Sequence, residues 1–366
     1  MNRIKDILTM SNYHIVKRND IVWWKAWTIR CVAIVLALIL CILSLVLLTD
    51  MSFGKIFTTM FKSVFGKSFF LWDFAQRTAI LLCIALAITP AFKMKFWNIG
   101  AEGQVLMGGL ATGACMVLFG DKISYPLLIA MMIAASILAG AVWGLIPAIF
   151  KVTVNANETL FTLMMNYVAT QIVAYFTLIW SVPKGSGTPR DLGEWALPVL
   201  YKTELGNILI VALITIAMYL YLRYSKQGYE VSVVGESENT ARYIGINVKK
   251  VVLRTMVISG ALCGIAGLLL VGGIDHSFKA ETAGGRGFTA IMVSWLAKFN
   301  PFMMIFTSML VIFLQMGTVK ITDTARINSS YAEIVTGLVI FFIIGSEFFI
   351  NYSVKRSVRN NVEVAE

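Results

Sequence analysis

Gly228-Tyr-Glu-Val-Ser-Val-Val-Gly-Glu-Ser-Glu-Asn-Thr-Ala-Arg-Tyr-Ile-Gly-Ile246 is the one long polar stretch inside an otherwise apolar chain. Basic residues crowd around it: Arg223, Lys226, Arg242, Lys249, Lys250 and Arg254. Lys and Arg are biased to the inner side of a membrane, so this stretch reads as a cytoplasmic loop. Within it, Ser237 is placed to cap a short helix, Glu238 falls in the first turn, and Gly245 is suited to ending it. Glu238 and Arg242 stand four apart with the acid first, which supports a helix by roughly 0.2–0.5 kcal/mol. The plainer alternative is a solvated loop with a stray helical turn.

Working outward, the apolar excess fixes the class. The chain has 366 residues, 58% of them hydrophobic and only 14% charged. Soluble domains run near 45–50% apolar and about 25% charged. The expected fold is therefore all-α: a polytopic membrane protein of about ten spans, with both termini in the cytoplasm. The net charge of +11 does not point to nucleic acid, because the basic residues sit in short loops between apolar runs. Five cysteines (31, 41, 83, 115 and 263) lie in apolar segments without zinc or disulfide spacing. His14 and His276 are far apart and suggest no metal pair.

The expected organisation is a cytoplasmic leader over 1–28, a transmembrane domain over 29–350 with the cytoplasmic loop at 223–254, and a cytoplasmic tail over 351–366. Spans are expected near 29–49, 76–92, 98–119, 125–150, 157–180, 206–222, 251–272, 287–298, 301–319 and 332–350. Lys93, Lys95, Lys151, Lys298 and the basic tail then all fall inside. Lys55, Lys62 and Lys67 fall outside and run against the rule. Ser136, Gly140, Gly144 and Ala148 form one small-residue face, and Gly260 with Gly264 another; such faces let helices approach closely in lipid.

Phe61-Lys-Ser-Val-Phe-Gly-Lys-Ser68 ends like a phosphate-binding loop. It lacks the first glycine, and its flanks offer no strand before and no βαβ unit around it. Gly284-Gly-Arg-Gly287 fails as a dinucleotide fingerprint for the same reason. No ATPase motif is visible in the chain, and no catalytic pair or metal cluster falls mid-span.

Acids within spans are costly, about 2.5–3.5 kcal/mol on insertion scales, and are functional candidates by default. Glu102 stands near Asn98 and Gln104 at the start of the third span. Glu158 follows Asn157 at the start of the fifth, with Asn166 two turns deeper. These six are the candidate substrate pathway. Against this, a carboxylate in a first helical turn is also favoured by the helix dipole alone, and Lys95 or Lys151 could pair with it. Glu333 and Glu347 bracket the last span.

Several stretches together resemble one family. Phe96-Trp-Asn-Ile-Gly-Ala-Glu-Gly-Gln104 resembles a Phe-x-Asn-Ile-Gly-x-Glu-Gly-Gln motif of permease subunits of nucleoside and simple-sugar ATP-binding-cassette (ABC) importers, which group with ribose and branched-chain amino acid permeases. Asn157-Glu158 with Thr162-Leu-Met-Met-Asn-Tyr167, Val234-Gly-Glu236, Ala241-Arg-Tyr-Ile-Gly-Ile246, Ser259-Gly-Ala261 and Gly287-Phe288 with Asn300-Pro301 follow in family order. Ser237-Glu238 stand where the family usually has Asn-Pro, and Val293 to Ala297 depart from its usual run.

The resemblance implies a transport subunit with no enzymatic activity. It implies nucleosides as cargo, with simple sugars the alternative. It also implies coupling through Gly235, Glu236, Ala241, Arg242, Tyr243, Gly245 and Ile246. No cofactor is bound by this chain in that scheme: ATP and magnesium belong to a partner ATPase. The other implied partners are a second, non-identical permease and an extracytoplasmic binding protein or lipoprotein, in the cell membrane among lipid. An ion-coupled secondary transporter would be expected to show mid-span coupling acids and inverted repeats; few such acids and no clear repeat are seen.

Overall fold

The computed structural model describes residues 13–17, 23–48, 51–199, 205–328 and 330–356. Arg3, Lys5 and Arg18 of the expected leader and Arg359 of the tail lie outside these residues. The chain divides into two compact units, one of residues 1–61 with 317–366 and one of 62–316. In the first, strand β1 (Tyr13–Lys17) pairs antiparallel with β2 (Tyr352–Arg356), and helix α1 (Trp23–Leu48) packs against α13 (Ser330–Asn351). Trp23, Trp24 and Trp27 fall in the first turns of α1. Helix α2 (Phe53–Phe65) occupies most of the expected external segment. It runs into α3 without a preceding strand, so the Gly66-Lys67-Ser68 sequence has no phosphate-loop context.

The second unit is built around α3 (Ser68–Lys93). Every residue from Thr78 to Phe92 is buried, as expected of a helix apolar on all sides. Against it pack α7 (Leu205–Tyr224) and α10 (Val248–Leu270), which continues as a π-helical turn to Asp275; α4 (Ala101–Phe119) and α5 (Tyr125–Val154) join through α10, and α6 (Glu158–Ile179) packs on α4. Two shorter helices, α8 (Lys226–Glu236) and α9 (Glu238–Tyr243), fill the polar stretch. Helix α11 (Arg286–Leu296) and α12 (Pro301–Ala325) follow.

Among the described residues, seven helices are long and apolar enough to cross a membrane: α3 to α7, α10 with its π turn, and α12. An all-α polytopic membrane fold is therefore right. The expected eighth span, already short at 287–298, coincides with α11. Helix α11 has 11 residues, a rise of about 16 Å, roughly half the hydrocarbon thickness.

The two small-residue faces expected from sequence meet each other. A side chain on Gly264 would strike the carbonyl of Ser136, and one on Gly140 would strike that of Gly260. Gly108 of α4 closes on Gly264 from a third direction, its Cβ position 2.5 Å from the Gly264 Cα. This glycine junction brings α4, α5 and α10 to backbone contact, where van der Waals packing holds helices together in lipid.

Candidate functional site

Two places gather the candidate residues. The first is a buried junction at the starts of α4 and α6. The chain turns inward after α3, so α4 begins beside Ser259, well inside α10. Asn98 and Gln104 are wholly buried there. Asn98 donates to Ser259 Oγ at 3.2 Å and accepts from Gly100 N at 3.1 Å and Gln104 Nε2 at 3.3 Å. Asn166 accepts from Gly103 N and donates to the Ile99 carbonyl, both at 2.9 Å. Thr162 Oγ1 accepts from Ile99 N at 3.2 Å. Of the amides that the start of α4 would leave unpaired, Gly103 N is thus met by α6 and Gly100 N by Asn98, while α6 also holds Ile99 N just before the helix.

Glu102 reaches further. Its two carboxylate oxygens accept from Gly285 N and Gly287 N, each at 2.7 Å. These amides open α11, and the anion also suits the positive end of that helix. A side chain on Gly287 would press on Glu102, its Cβ 2.5 Å from the Glu102 amide nitrogen. The motif glycine is therefore required for the approach. Glu158 pairs with Lys151 at 2.8 Å, one of the two partners anticipated. Asn157 caps α6, accepting from Leu160 N at 3.1 Å. Asn98, Glu102, Gln104 and Asn166 thus come together, whereas Asn157 and Glu158 stand at the α5–α6 corner. All six carry bonds to this chain's own groups.

The second place is the polar stretch. Ser237 caps α9, accepting from Thr240 N at 3.2 Å. Arg242 and Glu238 lie 3.3 Å apart, and Gly245 takes a left-handed φ of +84° after the helix. These are the features expected from sequence. Helix α8 was not expected. Its signals were present: Ser225 caps it, accepting from Gly228 N at 2.9 Å, and Val231 and Val234 repeat three apart and are buried.

A separate apolar cluster roots this stretch in the bundle. It joins Val231, Val234 and Ala241 to Ala91 and Met94 at the end of α3, Ala148 of α5, and Val251, Val252 and Met256 of α10. Gly235 lies directly on the Lys93 carbonyl, and Arg254 of α10 grips Glu230 at 2.9 Å. The seven residues singled out therefore sort into two groups. Gly235, Ala241 and Ile246 pack inward, while Glu236, Arg242, Tyr243 and Gly245 face out. Tyr243 is 93% exposed and Ile244 51%, on a polar segment where lipid does not account for them. A cleft of about 520 Å³ beside them is lined by Lys226, Glu230, Ile246, Lys250 and Arg254 among others.

A rooted base with an exposed, aromatic tip is suited to receiving force from a second protein. Residues 70–344 match the family described as branched-chain amino acid transport system / permease component. The chain belongs to that family. It is a multi-pass protein of the cell membrane. A glucose ABC transporter permease of Haloferax volcanii is 28% identical over 83% of this chain and 82% of its own. The guanosine ABC transporter permease NupP of Bacillus subtilis is 26% identical over 82% and 88%. The nucleoside ABC transporter permease NupB of Lactococcus lactis is 26% identical over 78% and 81%. The relatives are permease subunits, consistent with a transport rather than a catalytic role. Among the described residues no group of His, Cys, Asp and Glu is arranged to hold a metal.

Proposed function

We propose that this chain is the membrane-crossing subunit of an ABC importer that moves nucleosides inward. ATP and magnesium sit on a separate cytoplasmic ATPase, which acts on residues 228–246. The carrying observation is the construction of that stretch: two capped helices, an exposed Tyr243–Ile244 tip, and an apolar root reaching α3, α5 and α10. Closure of the ATPase would shift the root and with it the three helices it touches, biasing a two-state pore. In this reading both termini are cytoplasmic. A second, non-identical permease completes the pore, and an extracytoplasmic binding protein or lipoprotein delivers the cargo.

The junction of Asn98, Glu102, Gln104 and Asn166, with Asn157 and Glu158 at its rim, is proposed to border the pathway by holding the starts of α4, α6 and α11. Two nucleoside permeases among the relatives support that cargo. The glucose permease, of similar identity, favours a simple sugar as the second reading. Uptake in cells carrying the full assembly tests both: labelled uridine or guanosine should enter in an ATP-dependent manner and glucose should not compete. Glucose uptake alone would move the assignment to sugars. Uptake driven by an ion gradient without ATP would overturn the importer.

A further inference from the structure

The short α11 leaves a crossing half accounted for, and the chain before it supplies the rest. Phe278 lies against Gly113 in the second half of α4, and Gly287 lies on Glu102 in its first turn. Residues 278 to 287 therefore run beside α4 over its stretch from Gly113 to Glu102, about 16 Å of helix. Helix α11 continues the descent, Ser294 donating to the Ala85 carbonyl of α3 at 3.0 Å. The eighth crossing is thus broken: an irregular half, then a helical half. Irregular backbone at membrane depth persists only where protein buries it or where it lines a water-filled cavity.

Protein buries part of this segment and leaves part of it exposed. Phe278, Thr282 and Ala283 are buried, whereas Asp275, Lys279 and Glu281 are exposed. Arg286 turns back on the segment, donating to the Thr282 carbonyl at 2.9 Å. Arg286 is within electrostatic reach of Asp275, Arg77, Glu102 and Asp73, and Asp275 of Lys279 as well. Asp73 and Arg77 pair at 2.7 Å on the early turns of α3 and remain 28% and 44% exposed. Charges at such depth face protein or water rather than hydrocarbon. Nδ1 of His276 and Nδ2 of Asn207, which lies against Gly273, are buried without a hydrogen-bond partner, as where water or a solute completes the bonding.

We propose that Asp73, Arg77, Asp275, Lys279 and Arg286, with Glu102 behind them, line the aqueous route and suit it to neutral, hydroxyl-bearing solutes. The carboxylates (Asp73, Asp275, Glu102, and Glu281 on the same segment) and the cations (Arg77, Lys279, Arg286) are interspersed, so no single sign of charge dominates the lining. It offers paired donors and acceptors to hydroxyl groups. The inference rests on the importer reading and on the orientation given above. Residues 273–286 fall between the spans expected at 251–272 and 287–298, and of the proposed lining only Glu102 was a candidate from sequence.

Thiol accessibility tests it. Arg77→Cys, Asp275→Cys and Lys279→Cys, each in the assembled transporter, are exposed in intact cells to a charged, membrane-impermeant methanethiosulfonate. Lys279, on an exposed position, keeps the test open should another variant fail to insert. Labelling at least tenfold faster than in the unsubstituted chain and in Val142→Cys, on the exposed apolar side of α5, is expected. Labelling should cut uridine uptake at least fivefold, and excess uridine, but not uridine monophosphate, should slow it. Labelling no faster than in Val142→Cys, or without effect on uptake, overturns the lining. Equal protection by the monophosphate overturns the preference for neutral solutes. Labelling rates need no substrate, so they stand even if uptake proves not to be driven by ATP, which would refute the importer alone.

Discussion

Replacing Glu102 by Gln isolates the clasp between α4 and α11. The carboxylate accepts two bonds of 2.7 Å from Gly285 N and Gly287 N. Gln keeps one acceptor oxygen and turns an NH₂ toward the other amide. One charge-assisted bond is lost, worth about 1.5–3 kcal/mol, and a buried donor is left unmet. Taking about 2 kcal/mol, the unclasped state rises about thirtyfold, since 1.4 kcal/mol is tenfold. Hydrogen exchange of the assembled transporter in nanodiscs reads this directly. The amides of Gly285 and Gly287 should exchange about thirtyfold faster, while that of Gly103, held by Asn166, should not change. Unchanged protection at 285 and 287 would refute the clasp. Faster exchange throughout the protein would show that Glu102 serves overall stability instead.

Gly264→Val drives a branched side chain into the Ser136 carbonyl and should cost more than the roughly 1–3 kcal/mol of ordinary overpacking, lowering the detergent melting temperature; Gly54→Ala, with nothing within 4 Å, should leave it unchanged. Arg242→Glu breaks an exposed pair worth about 0–1 kcal/mol, so melting should hold while stimulation of ATP hydrolysis by cargo is lost; Ile244→Pro should uncouple in the same way, and normal uptake in both would remove the coupling role. Asn166→Leu strands Gly103 N and the Ile99 carbonyl at about 1–3 kcal/mol each and should slow uptake more than Glu347→Gln; equal, unimpaired rates would take Asn166 out of the pathway's frame.

Much of this protein was legible in one dimension. Helix bodies follow from apolar run length, and α5, α6, α7 and α12 begin within a residue or so of the expected positions. The Ser237 cap, the Glu238–Arg242 pair and the Gly245 stop depend on residues a few positions apart, so spacing alone specifies them. What sequence did not determine is which apolar face meets which. Lipid and protein interior are nearly equally apolar, so hydropathy places a residue out of water without naming its neighbour. The two glycine faces were visible singly, yet their meeting is a fact of tertiary structure. The clasp of Glu102 joins groups more than 180 positions apart, beyond any local periodicity. The broken eighth crossing was hidden for the same reason. Its irregular half is polar and reads as a loop, and only packing against α4 shows that a loop-like segment runs beside a spanning helix, where its charges face protein or water.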